Sequence, residues 1–339
     1  METKLFSKEE YGKAAAILKK GGIVGIPTET VYGLAANALD GAAVAKIFEA
    51  KGRPQDNPLI VHIAELSELD DLVAFVPPVV YDLADAFWPG PLTIILDKSP
   101  LVPDEVTTGL DTVAIRMPSH PVARQIIKAA GVPLAAPSAN TSGKPSPTTA
   151  KHVMDDMDGK IDAVVDGGPC EVGVESTVIT LATRKPKLLR PGRVTPDELE
   201  EVLGDELIID DAVLGKLAEG ERAASPGMKY KHYSPSSDVK IVKGSFVDFV
   251  DFVNQRATET DGVAALVFDG EESKLNCRTL LFGAEGDDLA HASKLFDALR
   301  TCDDEDIKEL YVRCPSDEGV GLAVMNRLLR AAEYNIIEV

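Results

Sequence analysis

Residues 21–37, GGIVGIPTETVYGLAAN, set a short apolar run against the polar cluster Pro27-Thr28-Glu29-Thr30 and then return at once to small and apolar residues. A turn needs only Gly, Asn or Asp, which supply positive φ or bond their own backbone. This stretch instead gathers two hydroxyls and a carboxylate where a strand at 23–26 ends, the place at which α/β proteins hold ligands. A polar loop by itself is ordinarily just solvated, so the assignment of function depends on the rest of the chain.

The flanking patterns agree with an α/β fold. Upstream, Ser7 and Glu10 have capping-box spacing, Tyr11, Ala14, Ala15 and Leu18 share a helical face, and Gly21-Gly22 supplies the stop. Downstream, a second helix begins near Asp40, buries Val44, Ile47 and Phe48, and ends at Gly52. Strands are expected at 59–63, 92–96, 112–116, 133–136, 162–166, 176–181 and 187–190, the last two as a hairpin, so the sheet is expected to be mixed. Thr195 and Glu198 cap a helix that closes a first domain, 1–205. An irregular segment, 206–237, follows. From 238 to 339 strands and helices alternate, which predicts a smaller Rossmann-like parallel α/β domain.

Composition narrows the function classes. The 339 residues carry a formal charge of −20, so no global basic field draws the chain to nucleic acid or an anionic membrane. The 238–339 region, with 21 acidic against 11 basic residues, is a poor anion binder. Four cysteines without metal-ligand spacing indicate neither a zinc site nor a disulfide framework, and fit a reducing compartment. No apolar leader or spanning run is read, so a cytoplasmic location is expected. P-loop, His-Glu-x-x-His and Gly-x-Ser-x-Gly patterns are missing, and GVGLAV at 319–324 reads as a helix start.

Four other stretches hold cations or hydroxyls beside strands: KGRPQDNPL (51–59), AIRMPSH (114–120), APSANTSGKPSP (136–147) and LLRPGR (188–193). Each alone has an ordinary structural explanation, but four such clusters in one acidic protein describe a local anion-binding cleft.

Together with GGIVGIPTETVYGLAANA, the segments KIFEAKGRPQDNPLIVHI, WPGPLTIIL, VAIRMPSHP, PLAAPSANTSGKPSPT and ESTVI resemble the successive motifs of the YrdC-like family across nearly all of 5–205. PGMKYKHYSP followed by an acidic α/β domain resembles the two-domain members found in bacteria, archaea and yeast. The resemblance implies a YrdC-like twisted mixed sheet and synthesis of threonylcarbamoyl-AMP from L-threonine, bicarbonate and ATP, releasing pyrophosphate. The product would serve a downstream transferase that modifies the adenosine beside the tRNA anticodon. By the same resemblance Thr30, His62, Arg116, Ala136 and Ser176 hold threonine, and Arg116 is suited to clamp its carboxylate. Lys51, Arg53, Ser138 and Asn140 carry catalysis, Arg53, Asn57, Thr112, Ser138, Ser146, Arg190 and Tyr233 contact ATP, Mg2+ accompanies the nucleotide, and the protein itself supplies no metal site.

Some choices stay open at this level. Glu29 and His62 are both candidates for a general base. An RNA-binding module is the alternative function, disfavoured by acidity and by the lack of interleaved aromatic and basic residues. A carbamoyltransferase of the hydrogenase-maturation type would bring acylphosphatase and zinc-finger modules, which this chain lacks. The segment 225–235, rich in Tyr, His and Lys, is expected to act as a lid anchored by the second domain.

Overall fold

The computed structural model describes residues 2–215 and 233–339. They form two compact units, one from 2–142 and 146–215, the other from 143–145 and 233–339.

The first unit is built on eleven strands: β1 Lys4–Ser7, β2 Val24–Ile26, β3 Gly33–Asn37, β4 Ile60–His62, β5 Leu92–Asp97, β6 Thr112–Arg116, β7 Leu134–Ala135, β8 Ala163–Asp166, β9 Thr177–Thr180, β10 Lys187–Arg190 and β11 Ile208–Ile209. Their order is β1-β8-β2-β3-β7-β4-β6-β5-β9-β10-β11. Pairing is mixed, with β4 parallel to β6, β5 antiparallel to β6, and β9 antiparallel to β10 as the hairpin pattern anticipated. The central strands are buried nearly end to end, which suits their β-branched and Leu-rich sequences.

Helix α1, Tyr11–Lys19, is preceded by a strand, and the Ser7–Glu10 capping box opens a single 3-10 turn at Lys8–Glu10. The sequence reading has a helix here and no β1. A four-residue strand with only Phe6 buried carries too little alternation to be seen by pattern alone. β3 and β11 were likewise missed: β3 is mostly Gly and Ala, and both residues of β11 are exposed. β11 pairs with β10 beyond the helix Pro196–Leu203, at which the first domain was expected to close.

Helix α2, Gly41–Lys51, behaves as its ends dictate. The Asp40 carboxylate accepts from the amides of Ala42 and Ala43, and Gly52, at φ 61°, stops the helix in the left-handed conformation. This fixes Lys51 at the last turn with its side chain turned inward, 2 % exposed. One large apolar cluster, including Leu34, Ile47, Val61, Ile94, Ile115 and Ile179, fills one face of the sheet, and a second, including Leu18, Ile26, Ile126 and Leu134, fills the other.

The second unit has five parallel strands, β12 Asp238–Lys243, β13 Val263–Val267, β14 Arg278–Leu281, β15 Glu309–Arg313 and β16 Ile336–Glu338, in the order β14-β13-β15-β12-β16. Alternating helices at Phe246–Glu259, Asp288–Asp304 and Gly321–Ala331 make the expected Rossmann-like arrangement, and the last confirms GVGLAV as a helix start. β16 had no counterpart in the sequence reading, being three residues long with only Ile337 partly buried. The expected lid, 225–235, lies outside the described residues up to 232. Among the described residues no helix is long and apolar enough to cross a membrane.

Candidate active site

The polar loop after β2 is a wired structure. Arg116 has only donors, and its Nη1 donates to Thr30 Oγ1 at 2.9 Å. Thr28 Oγ1 donates to Val31 O at 2.5 Å, so the 2.9 Å contact between the two threonine hydroxyls has Thr30 as donor. A one-way chain therefore runs from Arg116 through Thr30 and Thr28 to Val31 O. Thr28 Oγ1 also accepts from the amides of Thr30 and Val31, and Glu29 O accepts from Val172 N, which pins the loop backbone.

Arg116 ends β6 and His62 ends β4, and the two are Cα partners in the parallel ladder. Arg116 Nε donates to Gly90 O, tying the guanidinium to the loop that precedes β5. Its Nη2 stands 2.6 Å from Glu29 Oε1, both side chains almost wholly buried. Burial alone would raise the Glu29 pKa, but the charge and proximity of Arg116 outweigh it and hold the carboxyl below the usual range. His62 moves the other way: burial, then repulsion by Arg116, pushes it down to about 3, so the ring is neutral at neutral pH. His62 Nδ1 lies 3.2 Å from Ile60 O, and a carbonyl only accepts, so Nδ1 carries the hydrogen and Nε2 the lone pair. The Cys170 thiol, pushed up mainly by burial, is no thiolate nucleophile.

Ser176 stands immediately before β9, its Oγ 2.7 Å from Thr93 Oγ1 on β5. Arg190, the last residue of β10, donates through Nε to Ser176 O and through Nη2 to Ser176 Oγ. A residue expected at threonine and one expected at ATP are thus in direct contact. Next to them Ser146 Oγ donates to Glu175 Oε1. Gly192 packs so close that a Cβ there would lie 2.3 Å from Thr177 N.

The Lys51 ammonium donates to Ser138 O and Asn140 O. Ser138 bridges Gly33, and Ala139 N donates to Tyr32 O, so the 136–140 loop lies along the start of β3, directly after the Thr-Glu-Thr loop. Ala136 N donates to Ile60 O beside His62. Arg53 folds back, its Nε and Nη2 donating to Asn57 O and its Nη2 also to Pro58 O.

The first unit accordingly brings together Thr30, His62 and Arg116, joins Ser176 to Arg190, and joins Lys51 to Ser138 and Asn140. Thr112 stands at the opposite end of β6 from Arg116, facing Asp97. Tyr233 belongs to the second unit, buried against Phe296 and the Arg327 guanidinium, with φ 63°. The Glu29–Arg116 ion pair and the partnership of Thr93 with Ser176 were not foreseen. A carboxylate in a polar cluster between two apolar runs was the available signal for the first; Thr93 sits in an apolar strand and gave none.

Comparison with known proteins bears on this site. The Sua5_yciO_yrdC family model, described as "Telomere recombination", matches residues 16–192. The Sua5_C model, "Threonylcarbamoyl-AMP synthase, C-terminal domain", matches 194–333. A Pyrococcus abyssi protein named threonylcarbamoyl-AMP synthase is 45% identical over 333 residues, covering 96% of this chain and 95% of its own length. A Bacillus subtilis protein of the same name is 44% identical over 330 residues, covering 97% and 94%. Among solved structures, P. abyssi Sua5 complexed with L-threonine superposes with a TM-score of 0.92 at 43% identity, covering the whole of both chains.

Proposed function

The chain belongs to the threonylcarbamoyl-AMP synthase family, an enzyme family, and from that premise we propose that it joins L-threonine, bicarbonate and ATP into threonylcarbamoyl-AMP with release of pyrophosphate. The observation that carries the reading is the buried Arg116 fork beside Thr30 and a neutral His62, in a chain whose relative is solved with L-threonine. A guanidinium binds a carboxylate through two parallel hydrogen bonds, and hydroxyls and a neutral imidazole suit a ligand bearing its own hydroxyl.

The amine of threonine, once neutral, attacks the carbon derived from bicarbonate with loss of water, and the resulting carbamate oxygen then attacks the α-phosphorus of ATP, with pyrophosphate leaving. Anions have to meet at both steps. Lys51, Arg53 and Arg190 supply fixed positive charge, and Ser138, Asn140, Ser146, Asn57 and Thr112 contact bicarbonate or nucleotide. Ala136 lends backbone to threonine and Ser176 its hydroxyl. The chemistry is positioning and electrostatic stabilisation, without a covalent enzyme intermediate. Among the described residues no group of three or more His, Cys, Asp or Glu side chains could hold a metal ion. Mg2+ enters as the counterion of ATP, as it commonly does with phosphate substrates. The product passes to a transferase acting on tRNA.

Pyrophosphate release measured with each reactant omitted in turn tests this function. Release is expected only when L-threonine, bicarbonate, ATP and divalent metal are all present. Equal release without threonine would indicate a plain ATPase and remove the assignment.

A further inference from the structure

We propose that Glu29 receives the ammonium group of the bound amino acid while Arg116 takes its carboxylate, so that the pair reads an α-amino-acid zwitterion as one unit. The inference rests on the threonine reading above and assigns a role within the same site to a residue given none there.

Three buried polar atoms sit together without a hydrogen bond: both oxygens of Glu29 and Nη2 of Arg116. Among the described residues Nη2 and Oε1 are 2.6 Å apart, yet the contact is not aligned as a hydrogen bond. Charge attraction holds the groups side by side without a well-aligned hydrogen bond between them. Buried polar groups are satisfied in the great majority of cases, so a cluster of exceptions calls for a specific explanation. A zwitterion supplies what the cluster lacks. Its ammonium brings three donors for the Glu29 oxygens, and its carboxylate brings acceptors for the Arg116 fork.

The surroundings fix this polarity. Thr28 and Val172 pin the backbone of the loop that carries Glu29, so the carboxylate is presented by a rigid support. Glu29 stays ionised in its buried position because Arg116 is adjacent. His62 is neutral and attracts no ion. Glu175, the other buried carboxylate beside the site, accepts from Ser146.

The test compares calorimetric binding, at neutral pH, of L-threonine and of the α-hydroxy acid in which its amine is replaced by a hydroxyl at the same configuration. Wild type should prefer threonine by at least ~10-fold, the order expected for one charged hydrogen-bonded contact. In Glu29→Gln the preference should fall to within about twofold while ATP affinity holds, a loss that mere structural damage would not confine to the amine. A folded Glu29→Gln protein that keeps the full preference, or a wild type indifferent to the amine, overturns the proposal. Should Glu29→Gln not fold, Glu29→Asp takes its place: an intermediate preference supports the assignment and an unchanged one overturns it. A wild type that binds no L-threonine at all would bring down the synthase reading itself. Threonine binding indifferent to Glu29 leaves that reading standing.

Discussion

His62 and Arg116 face each other across adjacent parallel strands, and burial together with the permanent charge of Arg116 keeps the imidazole neutral. In the unfolded chain the same histidine titrates near its ordinary value of about 6.5. Below that pH the unfolded state takes up a proton that the folded state refuses, so stability falls from about pH 6.5 down toward 3. Between pH 7 and 5 wild type should lose about 2 kcal/mol more than His62→Gln, since each pH unit below 6.5 costs about 1.36 kcal/mol. Urea unfolding at the two pH values reads this difference, and parallel losses would show that His62 is not the group responsible.

Arg116→Ala should weaken threonine binding at least ~10-fold with less effect on ATP, because charged hydrogen bonds contribute about 1.5–3 kcal/mol each. It should also lower stability by about 3–5 kcal/mol by stranding the Glu29 carboxylate. The double variant Arg116→Ala/Glu29→Gln should recover part of that loss without recovering threonine affinity. Calorimetry and thermal melts separate the two effects; an unchanged threonine affinity in Arg116→Ala would remove Arg116 from the site.

Lys51 joins the end of α2 to the 136–140 loop through two carbonyl acceptors. Lys51→Met keeps the stem but leaves both carbonyls without that donor, and should cost about 3 kcal/mol of stability. Pyrophosphate release should fall at least ~10-fold, since both a fixed cation and the position of Ser138 and Asn140 are lost. Near-normal turnover would show that Lys51 only supports the loop and that its charge is dispensable.

Gly192 and Gly12 make a controlled pair. Gly192→Ala forces its new methyl against Thr177 N and Ser176, so about 1–3 kcal/mol of stability and a measurable part of threonine affinity should be lost together. Gly12→Ala, on α1 with open space around it, should raise stability by about 0.5 kcal/mol and leave binding alone. Equal tolerance of both substitutions would contradict the close packing at the start of β9.

Much of the fold is legible in the chain because it is written in local signals. Asp40 and Gly52 bound α2, Thr195 and Glu198 cap the helix Pro196–Leu203, and strand–helix alternation after 238 makes a parallel sheet the natural arrangement. β1, β3, β11 and β16 escape because short, Gly-rich or exposed strands carry little periodicity and are held by pairing with partners far away in sequence. The residue types of the site were also visible: a Thr-Glu-Thr loop, an arginine ending a strand, a hydroxyl-rich loop after another. Tertiary structure alone decided their pairings, since Glu29 and Arg116 are 87 positions apart, as are Lys51 and Ser138. It also decided protonation, because the pKa of a side chain depends on the burial and neighbouring charges that folding brings to it. The sequence determined which groups were available, and the fold left Glu29 charged and His62 neutral within one site.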